Sequence, residues 1–236
     1  MFKGKKVTAI LLLGGIGLRF GSPIPKQFHL LAGKKLYLHP LEVLLAEPAL
    51  DEIILCCPEN TLPLVKRDVA IYQFPFRVIA GGKVRQESSY LSLQACDPST
   101  DIVLLHDGVR PFLSSEILTA HLETAYRHPA VDTCIPSADT IVLSCNGETI
   151  EKIPPRHECL RAQTPQSFSF PLLLKAHHTT KQTNATDDCM LMIEAGYPVH
   201  IVQGDETNMK ITTETDLLLA EQLFSIKTAS LRLSPR

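Results

Sequence analysis

The residues best able to do chemistry fall in short clusters, the first near the amino terminus. It reads Leu11-Leu12-Leu13-Gly14-Gly15-Ile16-Gly17-Leu18-Arg19-Phe20, followed by Pro25-Lys26-Gln27. An apolar run feeds directly into a glycine-rich turn. Glycine lets a backbone approach a ligand closely and aim its N–H groups at phosphate oxygens. Arg19 and Lys26 would add fixed charge to the same cradle. The pattern is neither a Walker loop nor the dinucleotide fingerprint. A glycine turn alone could be only a tight strand–helix connection; the Arg and the Pro-Lys-Gln at this spacing argue for an anion site.

Further clusters lie along the chain. Gly81-Gly82-Lys83-Val84-Arg85-Gln86-Glu87-Ser88 reads, taken alone, as a loop and a helix start. His106-Asp107-Gly108-Val109-Arg110-Pro111 follows the apolar stretch Ile102–Leu105. A carboxylate at the carboxyl end of a strand can hold Mg²⁺ bridging phosphate oxygens; the alternative is a turn or helix-capping Asp. Arg161-Ala162-Gln163-Thr164-Pro165-Gln166, Thr186-Asp187-Asp188 and Asn208-Met209-Lys210-Ile211-Thr212 complete the set.

The elements that must position these groups are legible in the hydropathy pattern. Apolar runs predict strands at Lys6–Leu13, Glu52–Cys57, Arg77–Ala80, Ile102–His106, Thr133–Pro136 and Val199–Val202. Between them, Leu38–Ala46, Leu62–Ile71, Gln86–Ala95 and Ser115–Tyr126 carry apolar residues at helical spacing. Alternation of strand and helix predicts an α/β fold, a doubly wound, mostly parallel Rossmann-like sheet covered on both faces. Such a sheet binds ligands beyond the carboxyl ends of its strands, where the clusters fall. One segment breaks the alternation. Asp139–Ser144 and Thr149–Ile153 are β-rich runs around Cys145-Asn146-Gly147-Glu148, a hairpin signal. We read residues 137–158 as a β-arm suited to meet a second subunit; a surface hairpin without a partner is the other reading. Residues 225–236 lose periodicity and are expected to form a flexible tail of an otherwise single domain spanning 1–236.

Composition narrows the function classes. With 236 residues and 44% hydrophobic content, one large domain can bury a full core. A net charge of −2 offers no broad basic face for nucleic acid. The apolar run Val7–Leu13 is far short of the roughly 20 residues a membrane helix needs. Its basic flank looks superficially like a signal peptide, but glycines and an Arg stand where a cleavage site would be sought. The seven cysteines are odd in number and contain no C-x-x-C, so neither a disulfide framework nor a zinc site is expected, and a reducing cytoplasm fits.

Taken together, the motifs resemble those of sugar-nucleotide pyrophosphorylases and cytidylyltransferases. They are most similar to the 2-C-methyl-D-erythritol 4-phosphate cytidylyltransferase family and its sister, the ribitol-5-phosphate cytidylyltransferases, and the likeness runs from about Val7 to Ala220. The resemblance implies nucleotide binding by Leu13, Gly14, Gly15, Gly17, Gly81, Gly82, Arg85, Ser88 and Gly108, with CTP as donor. In that family the Gly81–Ser88 segment lies against the base and ribose; Lys83 here stands where an Asp is often found. The resemblance further implies Arg19, Lys26 and Lys210 as catalytic cations and Asp107 as Mg²⁺ ligand. Asp107, Arg110, Thr164 and Thr186 are implied as acceptor contacts. Thr140 and Arg156, on the arm, would reach the acceptor in the neighbouring subunit of a homodimer. The acceptor phosphate oxygen, already ionised, would attack the α-phosphorus of CTP in line, so His106 is expected to be structural rather than a base. Catalysis would be positioning and charge neutralisation. The acceptor is methylerythritol phosphate in the first reading and ribitol 5-phosphate in the second. Gly14-Gly15-Ile16-Gly17, Val109-Arg110-Pro111-Phe112 and Ala130-Val131-Asp132-Thr133 lean toward the second. A non-catalytic nucleotide-sensing module and a Rossmann oxidoreductase are rival classes. Retention of all four charged residues, Arg19, Lys26, Asp107 and Lys210, argues against the sensor, and Lys34-Lys35, where a ribose-binding acid is needed, against the oxidoreductase.

Overall fold

The computed structural model describes residues 1–15, 20–21 and 24–233, with side chains as far as residue 227. Gly17 and Arg19, both expected in the site, lie outside the described residues. Strand β1 (Val7–Leu12) is followed by a two-residue pair, β2 (Leu30–Leu31) and β3 (Lys34–Lys35), then helix α1 (Leu38–Leu45). The chain continues through β4 (Glu52–Cys57), α2 (Leu62–Val69), β5 (Phe76–Ala80), α3 (Arg85–Ala95), β6 (Ile102–Asp107) and α4 (Ser115–Ala125). It finishes with β7 (Ala130–Pro136), β8 (Leu160–Ser169), α5 (Phe170–Thr179), α6 (Asp188–Glu194), β9 (Val199–Gln203) and α7 (Glu214–Leu233). The main sheet has the order β5-β4-β1-β6-β8-β7-β9. Within this sheet every pairing is parallel except those of β8, which runs against both β6 and β7. The mostly parallel, doubly wound sheet expected from the sequence is present.

The reason is visible along β1, β4 and β6, whose residues are all buried. Because successive side chains point to opposite faces, Val7, Ala9 and Leu11 join a core with α1, α2 and α4, while Ile10 and Leu12 join another with α3, α5 and α6. A third, smaller cluster packs Leu31, Leu36, Phe112 and Ile211 against Ala220 of α7.

The β2–β3 pair and helices α5 and α6 were not among the expected elements, and three further departures have a physical reason. Strand β8 was not anticipated, because Arg161, Gln163, Pro165 and Gln166 give it no apolar alternation. Its register against β7 jumps from Asp132↔Gln166 to Thr133↔Gln163, leaving Thr164 and Pro165 out of the ladder. Such bulges bend a strand and re-aim a side chain. The arm is a looser excursion than the expected hairpin. Asn146-Gly147 makes the turn, with Gly147 at φ 76, yet a single bridge joins Leu143 and Lys152. An isolated two-stranded ladder is marginal in water, and this one has no core to lean on. Finally, the segment expected to be a tail is helical through Leu233. Thr212 and Thr213 anchor that helix by donating to Asp216 at its first turn, and good helix formers carry it onward.

Candidate active site

Two hollows open at the carboxyl edge of the sheet. The first, about 260 Å³, is lined by Leu12, Gly14, Gly15, Lys26, Gly82, Lys83, Val84, Arg85, Ser88, Asp107, Val109 and Lys210. The second, about 150 Å³, is lined by Arg110, Ala162, Gln163, Thr164, Gln166, Thr186 and Asp187, and shares Arg85, Asp107 and Lys210 with the first. Three charged side chains therefore stand where the hollows meet. A larger open hollow of about 460 Å³ between α1 and α4 gathers Glu42, Glu47 and Glu116; its charge would repel a triphosphate.

The glycine turn is shaped by backbone conformation rather than crowding. Gly15 sits at φ +97, where an L side chain is strained, although nothing among the described residues would obstruct its Cβ. Gln27 Nε2 donates to the Leu13 carbonyl at 2.6 Å, tying the short helical turn Lys26–Phe28 to the glycine turn and setting Lys26 beside it. Leu13 itself, expected in nucleotide binding, has its side chain in the core. Gly108 closes the neighbouring strand end. A Cβ there would lie 2.3 Å from Leu13 Cδ2, so its absence leaves room for the Leu13 side chain against this strand end.

The second rim is the start of α3. Gly82 N donates to Ser88 Oγ at 3.1 Å and Lys83 N donates to Glu87 Oε2 at 2.6 Å, which ties the loop to the first turn of the helix at the rim of the cavity. The Ser88 hydroxyl is thereby engaged in shaping the loop as well as lining the hollow. Arg85 donates through NH1 to Asp188 at 2.7 Å and through NH2 to Gln166 at 3.2 Å.

Asp107, last residue of β6, forms the floor of the junction. Lys210 Nζ lies 2.8 Å from Asp107 Oδ2, and Arg110 Nε lies 3.9 Å from the same oxygen. Burial alone would raise the Asp107 pKa, but Lys210, Arg85 and Arg110 hold it well below the usual carboxylate range, so it stays ionised. His106 beside it is fully buried and its pKa is pushed down to about 4 by that burial. The neutral ring must donate from Nε2 to the Arg110 carbonyl at 3.2 Å, which leaves Nδ1 to accept from Thr164 Oγ1 at 3.1 Å. Thr164 Oγ1 in turn accepts from the Asp107 N–H at 3.0 Å. Both ring nitrogens are committed, as a structural histidine requires.

Among the expected acceptor contacts, Arg110, Thr164 and Thr186 line the second hollow together with Asp107. Arg110 is held by its NH1 bond to the Asn208 carbonyl at 2.8 Å. Asn208 Nδ2 reaches the Thr164 carbonyl at 2.8 Å, so the Asn-x-Lys segment is stapled to the bulge of β8. Thr140 and Arg156 line neither hollow. Both are exposed, and Arg156 NH1 lies 3.4 Å from the Ala138 carbonyl. Sequence reasoning left Asp187, Asp188, Gln163 and Gln166 without roles. Asp187 caps α6 by accepting from Met190 N at 3.0 Å, a capping pattern that Thr186-Asp187-Asp188 could have revealed.

For a cation, the donor set is one shared carboxylate, Asp107, with Asp187 in the second hollow. Among the described residues no three His, Cys, Asp or Glu side chains converge into a cage. One hard oxygen ligand suits Mg²⁺, which usually keeps few protein ligands and takes the rest from phosphates and water.

A glycine turn, convergent cations and an ionised carboxylate at the carboxyl edge of a mostly parallel sheet define a nucleotide-handling α/β protein built for phosphate chemistry. The family model described as 2-C-methyl-D-erythritol 4-phosphate cytidylyltransferase matches residues 7–225. The chain belongs to this family. It is 39% identical to the enzyme of that name from Geotalea uraniireducens (strain Rf4), covering 92% of this chain and 95% of that one. It is 35% identical to the one from Clostridioides difficile (strain 630), covering 93% and 94%. The crystal structure of 4-diphosphocytidyl-2C-methyl-D-erythritol synthase from Anaerococcus prevotii DSM 20548 superposes with a TM-score of 0.84 at 29% identity, over 94% of this chain and 99% of that one.

Proposed function

We propose that this chain transfers a cytidylyl group from CTP to 2-C-methyl-D-erythritol 4-phosphate, forming 4-diphosphocytidyl-2-C-methyl-D-erythritol and pyrophosphate. One observation carries the reading. Two hollows, one behind a glycine turn and one lined by Arg110 and Thr164, share Asp107, Lys210 and Arg85 at their junction. An in-line displacement needs that arrangement, with donor and acceptor entering from opposite sides of one phosphorus. Lys26 and Lys210 would neutralise charge that builds on the α-phosphoryl oxygens and the leaving pyrophosphate, with Arg19 added from the sequence. Arg110 would grip the acceptor phosphate and Thr164 a neighbouring oxygen. Since the attacking oxygen is already ionised, no base is needed, in keeping with the committed nitrogens of His106.

Asp107 would hold Mg²⁺ together with triphosphate oxygens, and the ion would supply further neutralisation of the leaving group. Exposed Thr140 and Arg156 would serve the partner's acceptor hollow in a homodimer joined through the arm, where Val142, Leu143, Ile150 and Ile153 are also exposed. All seven cysteines are unpaired, which supports a cytoplasmic setting; no helix among the described residues is long and apolar enough to cross a membrane.

A coupled pyrophosphate-release assay with CTP, Mg²⁺ and each of two acceptors, methylerythritol phosphate and ribitol 5-phosphate, tests the reading. Turnover with the first is expected. A higher kcat/KM with ribitol 5-phosphate would reassign the acceptor, and tight CTP binding without turnover on either would favour a sensor.

A further inference from the structure

Arg85 is the first residue of α3, where the helix dipole disfavours a cation, so helix stability does not explain its place. What fixes it is a pair of braces from distant parts of the chain. On one side, its NH1 bonds to Asp188, a carboxylate whose side chain is only 1% exposed. Asp188 Oδ1 also accepts from Ser89 Oγ at 2.6 Å and from His177 Nε2 at 2.9 Å. On the other side, NH2 bonds to Gln166 Oε1, and the Gln166 amide is itself oriented by donating to Asp132 Oδ1 at 3.0 Å. Two of the guanidinium nitrogens are thus tied down, and the remaining N–H donors of the fork have no acceptor among the described residues. The side chain lines both hollows and stands with Asp107 and Lys210 at their junction.

We propose that Arg85 is a further cation of the reacting-phosphate junction, touching the transferred phosphoryl group or the acceptor phosphate rather than the base, and that Asp188 is the positioning residue that holds it there. The proposal rests on the cytidylyltransferase reading and adds to it a residue pair with a defined division of labour. A planar, immobilised guanidinium matches phosphate oxygens better than a mobile ammonium does. Ser89 and His177 keep the Asp188 carboxylate from rotating away, and Asp132 does the same for the Gln166 amide.

Arg85→Lys and Asp188→Asn separate this from a merely structural ion pair between α3 and α6. Arg85→Lys keeps the charge but cannot span both braces; Asp188→Asn keeps the shape but loses the charge. For both, kcat is expected to fall roughly 10–100-fold, with KM for CTP changed by less than about threefold. Arg85→Lys should melt within a few degrees of the parent, whereas Asp188→Asn, which leaves a buried cation without its carboxylate, should melt lower and is assayed where it remains folded. Arg85→Ala should regain part of its kcat when guanidinium ion is added, a rescue that a stability defect would not show. Near-normal kcat in Arg85→Lys overturns the proposal, whether or not Asp188→Asn folds. Wild-type turnover, measured alongside, tests the parent reading separately. If the wild type turns over neither acceptor, the parent reading fails, and the proposal that rests on it falls with it.

Discussion

Lys26 and Lys210 come from opposite ends of the chain and reach the same hollow, and their neighbourhoods differ. Lys26 is nearly buried beside the glycine turn, whereas the Lys210 side chain is 41% exposed and anchored to Asp107. Replacing either by Ala should lower kcat by about 10²–10³, the usual effect of losing one preorganised charge contact. Single-turnover rates check this, with melting temperature as the control for folding. Asp107→Asn should weaken the response of turnover to added Mg²⁺, read as a rightward shift in the magnesium titration. It would also release Lys210 and Arg110 from their shared oxygen, so some loss of kcat at saturating Mg²⁺ is expected as well. His106, neutral and bonded at both nitrogens, should contribute no acidic limb to the pH–rate profile near its ordinary pKa of 6.5.

Among the elements, the strand ends matter most, because a site built on them inherits their register. β1 and β6 pair from Val7↔Ile102 through Leu12↔Asp107, so the glycine turn and the carboxylate leave the sheet side by side. Gly108 leaves room there for the Leu13 side chain, and its N–H donates to the Leu12 carbonyl at 2.9 Å. Gly108→Ala would force a methyl against fully buried Leu13, costing about 1–3 kcal/mol as overpacking typically does, and would move Asp107 relative to Gly14 and Gly15. Chemical denaturation and kcat should therefore fall together in this variant. Gly15→Ala meets no obstruction among the described residues but is strained at its positive φ, so its cost should appear mainly in triphosphate affinity. The bulge of β8 acts in the same way, turning Thr164 out of the ladder toward Asp107 and His106.

Considered whole, the molecule carries buried titratable groups of opposing sign. Burial pushes His106 down to about 4 and His121 down to about 3 from 6.5, while it pushes the Asp132 carboxyl up from 3.8 to about 6. As pH falls below 6.5 the unfolded chain takes up histidine protons that the folded chain refuses, so stability is lost through that window. Asp132 works the other way: between about 6 and 3.8 the folded chain binds its proton first and gains stability. The two histidine shifts together exceed the carboxyl shift, so the melting temperature should decline on acidification from about pH 6.5 toward 4. Asp132→Asn removes the penalty of a buried carboxylate. It should be more stable than the parent near pH 8, and the advantage should vanish by about pH 4; calorimetric scans across that range check it. At the scale of the assembly, Arg156→Ala and Lys26→Ala should each lose most of its activity alone. If the arm serves a neighbouring site, mixing and reassembling them should restore activity, since one site in each mixed dimer would be intact.

The parallel strands, the glycine-rich and charged clusters and the family were legible in the sequence because each depends on local pattern. A continuous apolar run makes a two-sided buried strand, and Gly14-Gly15 or Asn208-Met209-Lys210 can be recognised within a few residues. β8 was not legible, since Arg161, Gln163 and Gln166 face polar partners and Pro165 breaks the alternation; only pairing to β6 and β7 makes a strand of them. The braces on Arg85 were equally hidden, because Asp188, Gln166 and Asp132 are distant along the chain and acquire meaning only as neighbours in space. The physical reason is common to both cases. Hydropathy is a property of each residue that the chain carries with it, whereas the energy of a buried hydrogen bond or ion pair depends on which two groups the fold brings within about 3 Å.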